Sequence, residues 1–276
     1  LKRTGIAFNN RIIGSDAKHI VVIGAGNVAT HVSRHLHAQG HRISAVWSRT
    51  SGAAGTLADT LGANACTRLS EVDRQADFYL FAVPDSAVAA LAEELSGCRG
   101  IWMHTAGALS MEVFRGFVDE YGVLYPLQSL SKAHPLRLGH IPFLIEGSSV
   151  EVEKKVRDLA ITITDRVEAA DSDTRLMVHL AAVFANNFSN HMVHIAYEIL
   201  KEEELPVHLL EPLLEETFQK IIDVGPLEAQ TGPAVRNDRE TMNRHIELLK
   251  THPEWEKIYT FVSREIAKSR EKKALR

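Results

Sequence analysis

Four residues in the second half of the chain have the types and spacing for acid–base chemistry on a small molecule: His179, Asn186, Asn190 and Arg236. An imidazole trades protons near neutral pH. A carboxamide orients an oxygen or an amine, and a guanidinium grips an anionic group through paired N–H donors. On a helix His179, Asn186 and Asn190 form one stripe, because seven residues turn it by about 700°, roughly 20° short of two whole turns. Val183 lies near this stripe, and Asn187 and His194 flank it. A polar stripe on an otherwise apolar helix needs partners, which are either a substrate in a cleft or a structural network. Arg236 follows the turn Thr231-Gly232-Pro233 and precedes Asp238 by two residues. It either presents its guanidinium to a carboxylate or phosphate, or forms an ordinary Arg–Asp surface pair. Tyr125-Pro126-Leu127-Gln128-Ser129, at a strand end, is a further candidate segment.

The first half carries a more specific pattern, Gly24-Ala25-Gly26-Asn27-Val28-Ala29. It follows a β-branched run and opens a helical one, the context that a dinucleotide-binding G-x-G-x-x-A requires. Gly24 permits a tight turn, Gly26 lets a pyrophosphate approach the backbone, and Ala29 allows close helix–strand packing. The helix start then offers free N–H groups and a positive dipole end to the phosphates. About 20 residues on, an NAD site would have an acidic residue for the ribose 2′-OH. Here the second strand ends in Ser48-Arg49-Thr50. A planar cation among hydroxyls suits a 2′-phosphate, so NADP is the expected cofactor; the competing reading of Arg49 is a plain surface arginine. Val83-Pro84-Asp85 and His104-Thr105-Ala106-Gly107 close later strands. They should line the cofactor's path, because ligands bind outside the carboxyl ends of the strands.

The elements that would position these groups fall into two halves. Up to about Ala170, short apolar runs alternate with helical spacing. Strands are predicted at His19–Ile23, Arg42–Trp47, Phe78–Val83, Ile101–His104, Val123–Tyr125, Pro142–Ile145 and Ile161–Val167. Helices are predicted at Asn27–Gln39, Ala53–Leu61, Ser86–Leu95 and Val150–Leu159. That rhythm predicts an α/β domain with a doubly wound, mostly parallel sheet. From Ser172 only helical patterns remain. The first should run to about Glu204, roughly 45 Å, with apolar residues nearly all round its middle, as in a helix buried on several sides or packed on a partner subunit. Later helices are predicted from Pro212 to Gly225, from an Asn237/Glu240 capping box to Lys250, and from a Thr251/Glu254 box onward. The expected domains are a tail at 1–17, a Rossmann domain at 18–170 and a helical substrate and dimerisation domain at 171–276.

Composition narrows the class. The chain has 276 residues, 45% hydrophobic and 24% charged, with a net charge of −4. A mildly acidic chain lacks the electrostatic footprint of a nucleic-acid or anionic-membrane binder, and the basic run Lys268–Arg276 reads as a solvated helix end. No apolar run reaches the roughly 20 residues of a membrane span. Residues 1–17 hold neither an apolar signal core nor a cleavage site, so a cytoplasmic location is expected. The two cysteines, Cys66 and Cys98, show no CxxC or ligand spacing. His31 and His35 have i, i+4 spacing without an HExxH pattern or a third ligand, so no metal is expected.

Taken together, these motifs make the chain resemble the Rossmann-like oxidoreductases that carry a helical domain of unknown function 2520. The resemblance spans about residues 18–250. It rests on Gly24–Ala29, Ala82-Val83-Pro84-Asp85, His104–Gly107, Tyr125–Ser129, Ile145-Glu146-Gly147, His179 with Asn186, and Thr231–Pro233 with Arg236 and Asp238. It implies an all-α C-terminal domain like that of 6-phosphogluconate dehydrogenase, and a homodimer formed through it, as in pyrroline-5-carboxylate reductase. Two positions depart from the family: Ala106 stands where members often have Ser, and Tyr125 where they often have His. The long helix also lacks the lysine that broader relatives use for proton transfer, and offers His179 and Asn186 instead. The expected function is NADP-dependent hydride transfer to or from a small polar metabolite. His179 would serve as acid–base, Asn186 and Asn190 would orient substrate, and Arg236 would clamp an anionic group. The alternative is a non-catalytic NADP-binding sensor or scaffold, or a dimer with a vestigial site.

Overall fold

The computed structural model describes residues 17–134 and 136–274, with side chains as far as Arg270. The tail expected at 1–17 therefore lies almost wholly outside the described residues. The chain divides into two compact units that part between Asn187 and Phe188.

The first unit is built on eight strands: β1 (His19–Ile23), β2 (Arg42–Trp47), β3 (Asn64–Cys66), β4 (Phe78–Phe81), β5 (Ile101–His104), β6 (Tyr121–Pro126), β7 (Phe143–Gly147) and β8 (Val167–Ala169). They form one sheet in the order β3-β2-β1-β4-β5-β6-β7-β8. Every neighbouring pair is parallel except β6 with β7. The carboxyl ends of β1, β2, β4, β5 and β6 thus share one edge, and the strand order reverses between β1 and β4. Ligands of doubly wound sheets bind at that crevice.

Strand alternation makes two core layers. Ile20 and Val22 point to one face, where they meet Val32 and Leu36 of α1 (Asn27–Ala38) and Val152 and Val156 of α4 (Val150–Ala160). Leu57 and Leu61 of α2 (Ser51–Leu61) join the same layer. Val21 and Ile23 point to the other face, against Val88 and Leu91 of α3 (Asp85–Glu94) and an aromatic group of Tyr79, Phe81, Trp102 and Phe114. The edge strand β3 has no apolar run to announce it. The strand predicted at 161–167 is instead a turn followed by β8. The amides of Thr162, Ile163 and Thr164 bond back to Leu159 and Ala160, which leaves them no ladder to join, while Ile163 fills the core.

A helical run follows β8. It consists of α5 (Ser172–Ala182), a π-helical segment (Val183–Phe188) and α6 (Ser189–Glu202). Asp171 caps α5 by accepting from the Thr174 amide at 2.8 Å, and α5 belongs with the sheet in the first unit. The long helix expected from the sequence is therefore interrupted by wider turns at its centre.

The second unit comprises α6, α7 (Glu211–Val224), the short α8 (Pro226–Ala229), α9 (Arg239–Leu248) and α10 (Pro253–Ala274). Two predicted caps differ from what forms. Asp238, not Asn237, caps α9 by accepting from the Thr241 amide at 3.1 Å, and Asn237 takes a left-handed φ of 52°. Thr251 closes a 3-10 turn, so α10 starts at Pro253, whose missing N–H costs nothing in a first turn. Among the described residues no helix is long and apolar enough to cross a membrane.

Candidate functional site

The cofactor end of the site follows from how β1 meets β4. Gly24 has φ +119°, and a Cβ there would lie 2.3 Å from the Ala82 carbonyl oxygen. Only glycine lets the turn pack against β4 so closely. The turn is tied by the Gly24 amide donating to Trp47 O and the Ala82 amide donating to Ile23 O, each at 2.8 Å. Gly26 is the N-cap of α1. No side chain caps the helix, and its first turn has no acidic residue. A Cβ on Gly26 would meet nothing within 4 Å, so the space over the helix start is open. Ala25 and Ala29 are buried, whereas Gly26 and Asn27 are exposed and Val28 is half-buried. An uncapped helix start with exposed backbone and open space fits a pyrophosphate.

At the end of β2, Ser48 is half-buried while Arg49 and Thr50 are exposed. Thr50 precedes α2 without capping it, and no ion pair to Arg49 forms among the described residues. A free guanidinium and a free hydroxyl thus stand at the strand end where a dinucleotide presents its adenosine ribose. Val83 is half-buried, Pro84 and Asp85 are exposed, and α3 starts there without a side-chain cap.

The segment His104–Gly107 closes β5 inside the unit rather than at its surface. The His104 side chain is fully buried, with its ring centroid 5.8 Å from that of Phe114. Its Nδ1 accepts from the Ala106 amide at 3.2 Å, so a neutral ring carries its proton on Nε2, which has no partner among the described residues. Burial, helped by the nearby Arg175 cation, pushes the His104 pKa down to about 3. Thr105 and Gly107 are also buried.

Gly107 instead leaves room for a second cluster. A Cβ on it would lie 2.5 Å from His179 Nδ1 and 3.0 Å from Tyr125 Cζ. Into that space β6 sends Tyr125 and α5 sends His179. The Tyr125 hydroxyl and His179 Nδ1 are 3.0 Å apart, in a T-shaped arrangement with centroids 6.0 Å apart. Burial pushes the Tyr125 hydroxyl's pKa up, against a smaller opposing pull from Arg175. The pair opens on a groove of about 600 Å³ that is also lined by Gln128, Ser129, Asn186 and Asn187. His179 Nε2 makes no hydrogen bond among the described residues.

Sequence reading missed what holds His179 in place. Arg175, one helical turn earlier, is fully buried. Its Nη1 donates to Glu146 Oε2, and its Nη2 donates to Leu109 O at 2.6 Å and Ser172 Oγ at 3.2 Å. Glu146 also accepts from the Ser172 amide at 3.0 Å and the Ser172 hydroxyl at 2.9 Å. Thus the start of α5 is riveted to the end of β7. The signal in the sequence was a carboxylate closing an apolar strand, Phe143-Leu144-Ile145-Glu146, together with an arginine within an apolar helix.

The structure puts His179 and Asn186 on one groove, but the stripe arithmetic already lapses before Asn186 and does not extend to Asn190. Each π-helical residue turns less than 100°, so the spacing lapses across Val183–Phe188. Asn190 and Arg236 lie in the second unit, and both are exposed. Asp238 is committed to capping α9, and no Arg236–Asp238 ion pair forms among the described residues. Of the histidines on α1, His31 Nε2 bonds to Ser131 O, while His35 bonds to His31 O and to the Leu138 amide. No group of three His, Cys, Asp or Glu among the described residues is placed to hold a metal ion. Cys66 and Cys98 are buried and unpaired.

Comparison with known proteins places this geometry in a family. Residues 19–101 match the model described as NADP oxidoreductase coenzyme F420-dependent, and residues 141–266 match the domain of unknown function 2520. A provisionally named NADP oxidoreductase from Bacteroides fragilis is 41% identical, with 91% of this chain and 98% of that one covered and a TM-score of 0.88. Two more distant structures share the fold. The 1-pyrroline-5-carboxylate reductase of Streptococcus pyogenes is 13% identical over 93% of this chain and 100% of that one, with a TM-score of 0.63. An imine reductase of Myxococcus stipitatus, in complex with NADP+, is 17% identical over 92% and 93%, with a TM-score of 0.59. No curated protein matches. The chain belongs to the family of NADP oxidoreductases that join a Rossmann domain to the domain of unknown function 2520.

Proposed function

We propose that this protein is an NADP-dependent reductase or dehydrogenase acting on a small polar metabolite, with His179 as its acid–base group. The observation that carries this reading is the Tyr125–His179 pair, set against Gly107 at the same sheet edge as the glycine turn. The nicotinamide, when bound, supplies or accepts the hydride. In the reducing direction a carbonyl or imine carbon gains that hydride and its oxygen or nitrogen gains one proton. Protonated His179 gives that proton from Nε2 while its Nδ1–H stays donated to the Tyr125 oxygen; oxidation reverses both transfers. Tyr125 is thus a positioning residue that fixes the ring and its tautomer. Asn186 lines the same groove, which supports its role in orienting the reacting heteroatom.

The roles of Asn190 as a further orienting group and Arg236 as an anion clamp are part of the same proposal. They rest on residue type and on the exposure of both side chains. Arg49 and Thr50 favour NADP over NAD, because a free cation beside a hydroxyl answers a 2′-phosphate. A homodimer joined through the helical unit and a cytoplasmic setting complete the reading.

The test is turnover. A metabolite screen that follows NADPH oxidation should yield a substrate. On it, His179→Ala should lower kcat by about 100-fold or more and leave NADPH affinity unchanged. Wild-type kcat in His179→Ala and Asn186→Ala would remove the assignment. Binding of NADP and NADPH with unequal affinity, but no turnover with any metabolite, would favour the sensor reading.

A further inference from the structure

The loop between β6 and β7 reaches back to the glycine turn. Residues 131–134 make a tight turn closed by the His134 amide donating to Ser131 O at 3.1 Å, and Leu130 anchors it in the core. Three contacts dock this turn on the start of α1. His31 Nε2 meets Ser131 O at 2.9 Å, the Lys132 amide donates to Asn27 Oδ1 at 3.2 Å, and Lys132 Nζ donates to Ala25 O at 2.6 Å. The main-chain contacts fix the turn, so the Lys132 ammonium is held beside the glycine turn.

That position is electrostatically odd for a protein standing alone. A helix N-terminus already carries a partial positive charge, and a cation there is unfavourable. The first turn of α1 has no acidic residue. No carboxylate pairs with Lys132 among the described residues, and its ammonium spends one of three donors on a carbonyl. Two positive sources converge with no anion of the described residues between them, which is the field of an anion site.

We propose that Lys132 is a ligand of the dinucleotide's pyrophosphate, acting with the backbone N–H groups at the start of α1. This rests on the dinucleotide reading above and adds a residue to it. Arg49 discriminates by the 2′-phosphate, whereas Lys132 grips the part that NADPH and NADH share. The docked turn makes the phosphate site a joint product of the first β–α unit and a loop more than 100 residues later.

Fluorescence titration of the full chain with NADPH and with NADH separates the possibilities. Lys132→Met keeps the aliphatic stem and loses the charge. It should weaken both nucleotides by the same factor, about 10-fold or more. Lys132→Arg should stay within about threefold of wild type, because a charge-assisted contact survives. The melting temperature of unliganded Lys132→Met should match wild type, which shows that the turn is intact. If wild type binds both nucleotides and Lys132→Met binds them equally well, this assignment alone falls. Loss confined to NADPH would move Lys132 to the 2′-phosphate and overturn the assignment. Equal weakness of the Arg and Met variants would also overturn it. Wild-type protein that binds neither nucleotide would overturn the dinucleotide reading and this inference with it.

Discussion

His104 shows that a place at a strand end does not say where a side chain points. In sequence it sits within a motif at a strand end and invites a role beside the cofactor. In the structure its ring is fully buried next to Phe114, with a pKa of about 3. Its consequence is for stability. The unfolded chain takes up a proton at His104 as pH falls below the ordinary value of 6.5, whereas the folded chain does so only near 3. Between those limits the unfolded state binds more protons, so stability should fall with falling pH, by up to about 1.4 kcal/mol per pH unit. His104→Phe should flatten that part of a denaturant-unfolding series from pH 7 to pH 4. An unchanged slope would show that the ring is not held neutral. Tyr125 and His179 lie 54 residues apart, and nothing periodic links them. Their types were legible as chemistry, but their partnership was not.

At the scale of elements, the sequence is most readable where structure is local. The β1–turn–α1 unit, the stop at Gly40 and the Pro84 that closes β4 all follow from neighbouring residues. β3 escapes because Asn64-Ala65-Cys66 is three residues long and only one of them is buried. The π-helical segment escapes because Phe184-Ala185-Asn186-Asn187-Phe188 keeps an ordinary helical composition, and wider turns leave no compositional mark. The rivet of α5 to β7 escapes because Glu146 and Arg175 are 29 residues apart in sequence. Arg175→Met would leave a largely buried carboxylate without its cation and should cost about 3–5 kcal/mol. Arg175→Met with Glu146→Gln should cost less than the sum of the two single changes, because the two share one network. Equilibrium unfolding of the four proteins checks this, and strict additivity would contradict it.

The whole molecule poses a question of burial. In the second unit only Ile195 and Ala234 are buried among the described residues. α7 has none, although Leu213, Phe218 and Ile222 are 60%, 44% and 77% exposed. So much apolar helix surface is unusual for a free monomer, and the homodimer proposed above predicts that a second copy covers it. Light scattering should report a dimer, and Leu213→Glu with Ile222→Glu should yield monomers that keep the absorbance and nucleotide affinity of the first unit. A wild-type monomer at micromolar concentration would contradict this. Fold class was legible because the Rossmann motif is contiguous. The sequence also led to the expectation of a partner subunit on the helical half, but not to which helix faces lie exposed, because the apolar residues are spread over separate helices.

The central claim is that this chain binds NADP through its glycine turn and Arg49. Calorimetric titration of the wild type and of Arg49→Met with NADPH and NADH tests it most directly. The wild type should bind NADPH at least 10-fold more tightly than NADH, and Arg49→Met should erase that preference by weakening NADPH alone. Tighter binding of NADH by the wild type, or no binding of either nucleotide, would contradict the claim.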